Sequence, residues 1–366
     1  MSSTLSDAYR DHPLHLNHII PLDFTSVESV PHSHEWTQSS NESPSDDEHL
    51  SIPVVDLMDP NAEKLVRDAC ETWGVFQLTS HGVPSCLLED VEFEALRFFC
   101  LSSQQKMKVL RSPDGATGYG LARISSFFNK FMWHEGFTIM GSPSDHAKEL
   151  WPNDYQRFCD VMNEYQTKMK SLAERVWLLI MGSLGISKEE YSSSAEAAST
   201  ALQLNYYPSC PNPSRAMGLA PHTDTLLFTI LHQKIDTATT PTRGLQIFKD
   251  GIGWVSVRPV AGALVVNVGD LLHILSNAKF PSALHRVVVN QSGRLSVAYF
   301  HGPPIDARIS PANSGQGQLP VYRSLTVKEY VRLKAKHHDK VLALIRRTLS
   351  NAEVKVCPST AARQCD

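Results

Sequence analysis

The chain has 366 residues, 42% hydrophobic and 20% charged, a balance that excludes wholesale disorder and fits one large domain braced by helices. A formal net charge of -4 offers no reason to expect nucleic acid or an anionic membrane as partner, and no stretch reaches the roughly 20 apolar residues of a spanning helix. The start, MSSTLSDAYRDHPLHLNHII, has no cationic end leading into an apolar run, and the seven cysteines form no C-x-x-C pair, so reduced thiols in the cytoplasm are expected.

Residues 1–50 read as a flexible leader, closing in the acidic run SPSDDEH. Residues 51–195 form a mixed, mainly helical region. SIPVVDL predicts a short strand, and Asp59 and Pro60 open a helix with Leu65, Val66, Ala69, Cys70 and Trp73 on one face, stopped by Gly74. VFQLTS predicts a second strand, and Ser85 to Cys100 a second amphipathic helix. Residues 112–137 are rich in glycine, serine and aromatics without a helical period; they suit either a pocket wall or a plain surface loop. A long helix follows from Tyr155 to Leu184, closed by Gly185.

From Leu202 short strands dominate: ALQLNYY, LLFTILHQ, GLQIF, WVSVRPV, ALVVNVGDLLHIL, ALHRVVV and LSVAYF, separated by turn residues. Such spacing predicts a β-sandwich or barrel across residues 196–305. Residues 306–366 supply a C-terminal helix and tail; Thr326 and Glu329 form a capping box before a run to about Leu349. The fold class is mainly β with flanking helices.

His222-Thr223-Asp224 is placed at the head of LLFTILHQ, where alternation in an extended chain aims both ligand-type side chains one way. His285, heading ALHRVVV, offers a third ligand. Two imidazoles and a carboxylate leave open positions on an octahedral Fe(II), and they equally suit the zinc of a hydrolase. Arg294-Leu295-Ser296 follows a turn at Asn290 to Gly293. If Val289 pairs with Arg294 across a hairpin, His285, Arg294 and Ser296 share one face. A planar guanidinium there would take one end of a short dicarboxylate whose other end chelates the metal, with Tyr207 adding a phenolic hydrogen bond. The other histidines are read as structural: His81 at a turn, His232, His273 and His301 as packed or surface groups, His337 and His338 as a solvated helix face.

NYYPSCPNP, HTD and LHRVVVNQSGRLSVAYF together resemble the plant 2-oxoglutarate-dependent dioxygenases. The resemblance implies a double-stranded β-helix (distorted jelly roll) core, iron on His222, Asp224 and His285, and 2-oxoglutarate on Tyr207, Arg294 and Ser296. Longer segments, GYGLARISSFFNKFMWHEGF, RAMGLAPHTDT and YRSLTVKEYVRLKAKH among them, resemble the gibberellin 3-beta-dioxygenases. Those imply Fe(II), 2-oxoglutarate and O₂, ascorbate as supporting reductant, and 3-beta-hydroxylation of a C19 gibberellin by a monomer. NYYP in place of Asn-Ser-Tyr-Pro, and TSHGVP where Asn-His-Gly is usual, leave open a sibling activity at another gibberellin position or on a flavonoid. A binding protein that keeps the pocket without chemistry is a further alternative. A rigid apolar acid needs apolar walls and one cation; Tyr119, Phe127 and Phe128 are the candidate walls, Arg123 and Lys130 the candidate cations.

Overall fold

The computed structural model describes residues 5–36, 50–186, 198–234, 244–312 and 319–347. Its principal strands are β1 (Val54–Asp56), β2 (Val75–Thr79), β3 (Gly118–Gly120), β4 (Glu135–Ile139), β5 (Ser199–Tyr207), β6 (Met217–His222), β7 (Phe228–Gln233), β8 (Leu245–Lys249), β9 (Gly253–Ser256), β10 (Leu264–Val268), β11 (His285–Val288) and β12 (Arg294–Gly302). Eight of them form one sheet in the order β1-β2-β10-β7-β12-β5-β4-β3, and four form a second in the order β6-β11-β8-β9. Apart from the parallel pair β1–β2, the neighbours in both sheets run antiparallel. The two sheets face one another in the distorted jelly roll.

Alternation along the strands assigns the two faces of the large sheet. Leu295, Val297 and Tyr299 of β12, Leu202 and Leu204 of β5, and Phe228 and Ile230 of β7 join one core. The alternate residues, Arg294, Ser296 and Ala298, Gln203, Asn205 and Tyr207, and Thr229 and Leu231, face the space between the sheets. The 29-residue helix Gln156–Leu184 covers the first face with Phe158, Met162, Tyr165, Met169, Leu172, Val176 and Ile180, spaced three and four apart. Gly185 ends that helix with a left-handed φ of 69°, which a side chain would resist.

Several expected boundaries move. ALVVNVGDLLHIL divides into β10 and a short helix, Asp270–Leu275. Gly269 makes the corner: a Cβ there would overlap the carbonyl oxygen of Leu226. RAMGLAPH contains β6, a strand absent from the sequence reading, and His222 is its last residue rather than the head of β7. The C-terminal helix starts as expected, with Thr326 accepting from the Glu329 amide at 3.1 Å, but stops at His337 because His338 takes φ 51°. Residues 348 and 349 of that expected run, the acidic stretch 43–49, and Cys357 and Cys365 lie outside the described residues. The described cysteines are free thiols.

Residues 5–36 are fastened to the rest of the chain at several points. Ala8 and Ile19 are fully buried, Ile19 O accepts from the Leu121 amide at 2.8 Å, and Trp36 Nε1 donates to Phe131 O at 2.8 Å. Asp11 pairs with Arg332 of the C-terminal helix at 2.7 Å. The expected flexible leader is, over these residues, a strap across residues 111–131 and the C-terminal helix. Its apolar anchors are dispersed singly among polar residues, so no periodicity announces them.

Candidate active site

β6 and β11 run antiparallel with His222 directly opposite His285, so the two imidazoles emerge side by side, ring centroids 4.2 Å apart. Asp224 follows two residues after β6 ends and brings Oδ1 to 3.8 Å from His222 Nε2 and 3.9 Å from His285 Nε2. One ligand-type atom from each residue lies within 4.8 Å of the others. Each ring is oriented from behind: His222 Nδ1 lies 2.8 Å from Ala220 O and His285 Nδ1 2.9 Å from Ala283 O. A carbonyl only accepts, so each Nδ1 carries the proton and each Nε2 presents a lone pair to the centre. Burial, and next the neighbouring His285, hold His222 well below the ordinary imidazole pKa and keep it in the ligating form. Thr229 Oγ1 donates to Asp224 Oδ2 at 2.6 Å and leaves Oδ1 facing the imidazoles. This donor set fits a divalent ion with one side of its octahedron open.

Arg294 faces this centre from the other sheet. The expected hairpin between β11 and β12 is not formed: β11 pairs with β6 and β8, and β12 pairs with β5 and β7. The turn at residues 290–293 carries the chain from one sheet to the other, so His285 and Arg294 meet across the cavity instead of along one face. Arg294 is 5% exposed; its Nη2 donates to Gln233 Oε1 at 2.5 Å and its Nη1 has no partner. Among the described residues no carboxylate neutralises it, and burial pulls its pKa down. A buried cation in this condition calls for an anion. Tyr207 stands opposite Arg294 in the β5–β12 pairing, with its ring 5.2 Å from the guanidinium carbon. Burial raises the Tyr207 pKa, against the opposing pull of Arg294 and Ser296. Two glycines clear the space: a Cβ on Gly244 would lie 2.7 Å from Arg294 Cδ, and one on Gly218 2.9 Å from Tyr207 Cδ1.

The sheets enclose a cavity of about 260 Å³ lined by His222, Asp224, His285, Tyr207, Arg294 and Ser296 together. Of the expected substrate-pocket residues, Arg123 and Phe127 line it. Tyr119, Phe128 and Lys130 do not. Tyr119 lies on β3 and turns into the core, its hydroxyl donating to Glu135 Oε1 at 2.5 Å. Lys130 donates to His32 O at 2.7 Å on the exterior, and Phe128 packs against Trp36 and His338. His338, expected on a solvated helix face, is 9% exposed and lines the cavity, because the helix break at that residue turns it inward. Sequence reasoning also missed Leu5, Tyr9 and Leu14 of the strap, Arg111 ahead of β3, and Lys334. Lys334 donates to Thr223 Oγ1 at 2.7 Å and Thr223 O at 2.9 Å and pairs with Asp270, thereby gripping the residue between His222 and Asp224.

Residues 198–303 match the profile of the 2OG-Fe(II) oxygenase superfamily, and residues 52–156 match that of the N-terminal region of the non-haem dioxygenase in morphine synthesis. Gibberellin 3-beta-dioxygenase 1 of Pisum sativum is 50% identical over 94% of each chain. Gibberellin 3-beta-dioxygenase 1 of Arabidopsis thaliana is 48% identical over 94% of this chain and 99% of its own. Among solved structures, JOX2 in complex with 2OG, Fe and JA superposes with a TM-score of 0.74 at 26% identity, over 89% of this chain and 96% of that one.

Proposed function

The chain belongs to the 2OG-Fe(II) oxygenase superfamily, in the family of its gibberellin 3-beta-dioxygenase relatives, and on that premise we propose that it hydroxylates C19 gibberellins at the 3-beta position. Its cofactors are Fe(II) and 2-oxoglutarate. The observation that carries the reading is the facing pair of features in one cavity: three ligand-type side chains on the small-sheet side and, on the large sheet, a buried guanidinium without a carboxylate partner among the described residues.

His222, Asp224 and His285 would hold the iron. When bound, iron and 2-oxoglutarate supply the activation of O₂ and the oxidative decarboxylation that yields succinate, CO₂ and the hydroxyl delivered to substrate. The chain's own groups bind and orient. Arg294, with Ser296 and Tyr207, would hold the distal carboxylate of the co-substrate. The apolar lining, with Leu219, Leu231, Leu245 and Val287, excludes water from the reacting carbon. No helix among the described residues is long and apolar enough to cross a membrane, and a cytoplasmic, monomeric enzyme completes the reading.

Purified chain supplied with Fe(II), ascorbate, 2-oxoglutarate, O₂ and labelled C19 gibberellins is the test. The expected product carries a 3-beta hydroxyl with one succinate formed per turnover. A 2-hydroxylated product, or succinate release that no gibberellin stimulates, would overturn the assignment.

A further inference from the structure

The cavity holds several cations, and most already have an occupation. Arg294 lies on the wall of the 2-oxoglutarate site. Lys334 is neutralised by Asp270. Arg123, one of the two cations singled out by sequence, is tied up as a fastener: Nη1 donates to Gly115 O at 2.6 Å, Nη2 to His12 O at 3.1 Å, and the guanidinium stacks 4.0 Å over the Tyr9 ring. Arg111 is different. It lines the cavity at 4% exposure, its Nη2 donates to the backbone oxygen of Leu121 at 2.7 Å, and its Nε has no partner. No carboxylate among the described residues pairs with it; its charged neighbour is another cation, Arg123, and the nearby Asp114 acts on Arg123 rather than on Arg111. A buried guanidinium beside a second positive charge is electrostatically costly unless an anion completes the set.

We propose that Arg111 is the residue that recognises the carboxylate of the substrate, with Arg123 and Tyr9 as positioning residues that fasten the strap over it. The proposal rests on the functional reading above for the identity of the acid, though not for its charge. The cavity around it supplies the rest of the match, since Leu5, Leu14, Ala116, Ala122 and Ile124 form an apolar wall for a rigid hydrocarbon skeleton. Arg111 precedes β3, whereas the iron ligands and Arg294 belong to the jelly roll, so the acid group would be held by a part of the chain separate from the reacting centre.

The experiment measures Kd without oxygen, in the presence of Fe(II) and 2-oxoglutarate, for a C19 gibberellin and its methyl ester, and for an unrelated rigid terpenoid acid and its methyl ester. Wild type, Arg111→Met and Arg111→Lys are compared, with near-ultraviolet circular dichroism and 2-oxoglutarate Kd reporting whether each variant is folded. Wild type should favour acid over ester by about thirtyfold or more, the size expected when a buried charge loses its partner. Arg111→Met should bring that ratio to about one, and Arg111→Lys should restore part of it. A folded Arg111→Met that keeps the wild-type ratio, or a wild type that prefers neither acid, overturns the proposal. A preference that depends on Arg111 in an enzyme hydroxylating away from the 3-beta position removes the functional reading alone and leaves this one standing.

Discussion

Thr229 supplies no ligand, yet its hydroxyl decides which oxygen of Asp224 faces the imidazoles. Thr229→Val keeps the shape and deletes the donor. Fe(II) affinity, read by anaerobic titration, should fall about tenfold to a hundredfold, the usual cost of losing a group behind a ligand, while 2-oxoglutarate binding to the iron-loaded protein changes little. Gly244→Ala tests the other wall. The added methyl would crowd Arg294 Cδ and Nε, so the KM for 2-oxoglutarate should rise by about tenfold to a hundredfold through misplacement alone. An unchanged KM would mean that Arg294 does not hold the co-substrate. These consequences are unequal in how far sequence foretells them. His222, Asp224, His285, Arg294 and Ser296 stand out by chemical type and spacing. Arg111 does not: its place in the proposal comes from burial beside Arg123 and from having no carboxylate partner among the described residues, both produced by packing.

The crossing between β11 and β12 shows where local reasoning ends. Residues 290–293 bend the chain where their composition predicts a turn, but a bend does not choose a strand's partner. Here the pairing of β11 with β6 and β8, and of β12 with β5 and β7, wins over the hairpin. Convergence of His285 and Arg294 survives because the inner faces of two opposed sheets line the same cavity as one face of a single sheet would. β6 is not legible in the sequence because RAMGLAPH breaks alternation with Gly218, whose place is set by Tyr207, and with Pro221 at the strand end. The C-terminal helix also has a task that its amphipathic pattern does not disclose. Desolvation opposes the charge on Asp270, yet Lys334, with Ser282 and Tyr330, brings its pKa below the ordinary carboxylate range. Lys334→Met would strand that carboxylate and release Thr223, and should cost about 3–5 kcal/mol of unfolding free energy. Denaturant titration measures it; a loss under about 1 kcal/mol, typical of an exposed pair, would show that the pair is not structural.

Across the whole molecule, buried imidazoles set the acid limit. His34, His134 and His301 are each pushed by burial from 6.5 to about 4. The unfolded chain therefore binds more protons than the folded one between those values. Their contribution is present in full above pH 6.5 and is lost progressively as pH falls toward 4. The melting temperature should decline steadily over that interval; a level profile would show these rings to be solvated. The general plan, helices followed by a β core and a closing helix, is legible from period and turn residues. Closure by the strap is not, because Leu5, Tyr9 and Leu14 gain meaning only from the surfaces they meet.

Under the proposed assignment iron and diacid would be served from opposite sides of the sandwich, so the gap between the sheets would act as a ruler for the diacid that can span it. Leu231 and Ala298 on one side, and Leu245 and Val287 on the other, are the packing that sets this length. Enlarging or shaving any of them would be felt first as a change in which diacid fits, before any loosening of the fold. On that reading the apolar filling would be part of the protein's chemical selectivity.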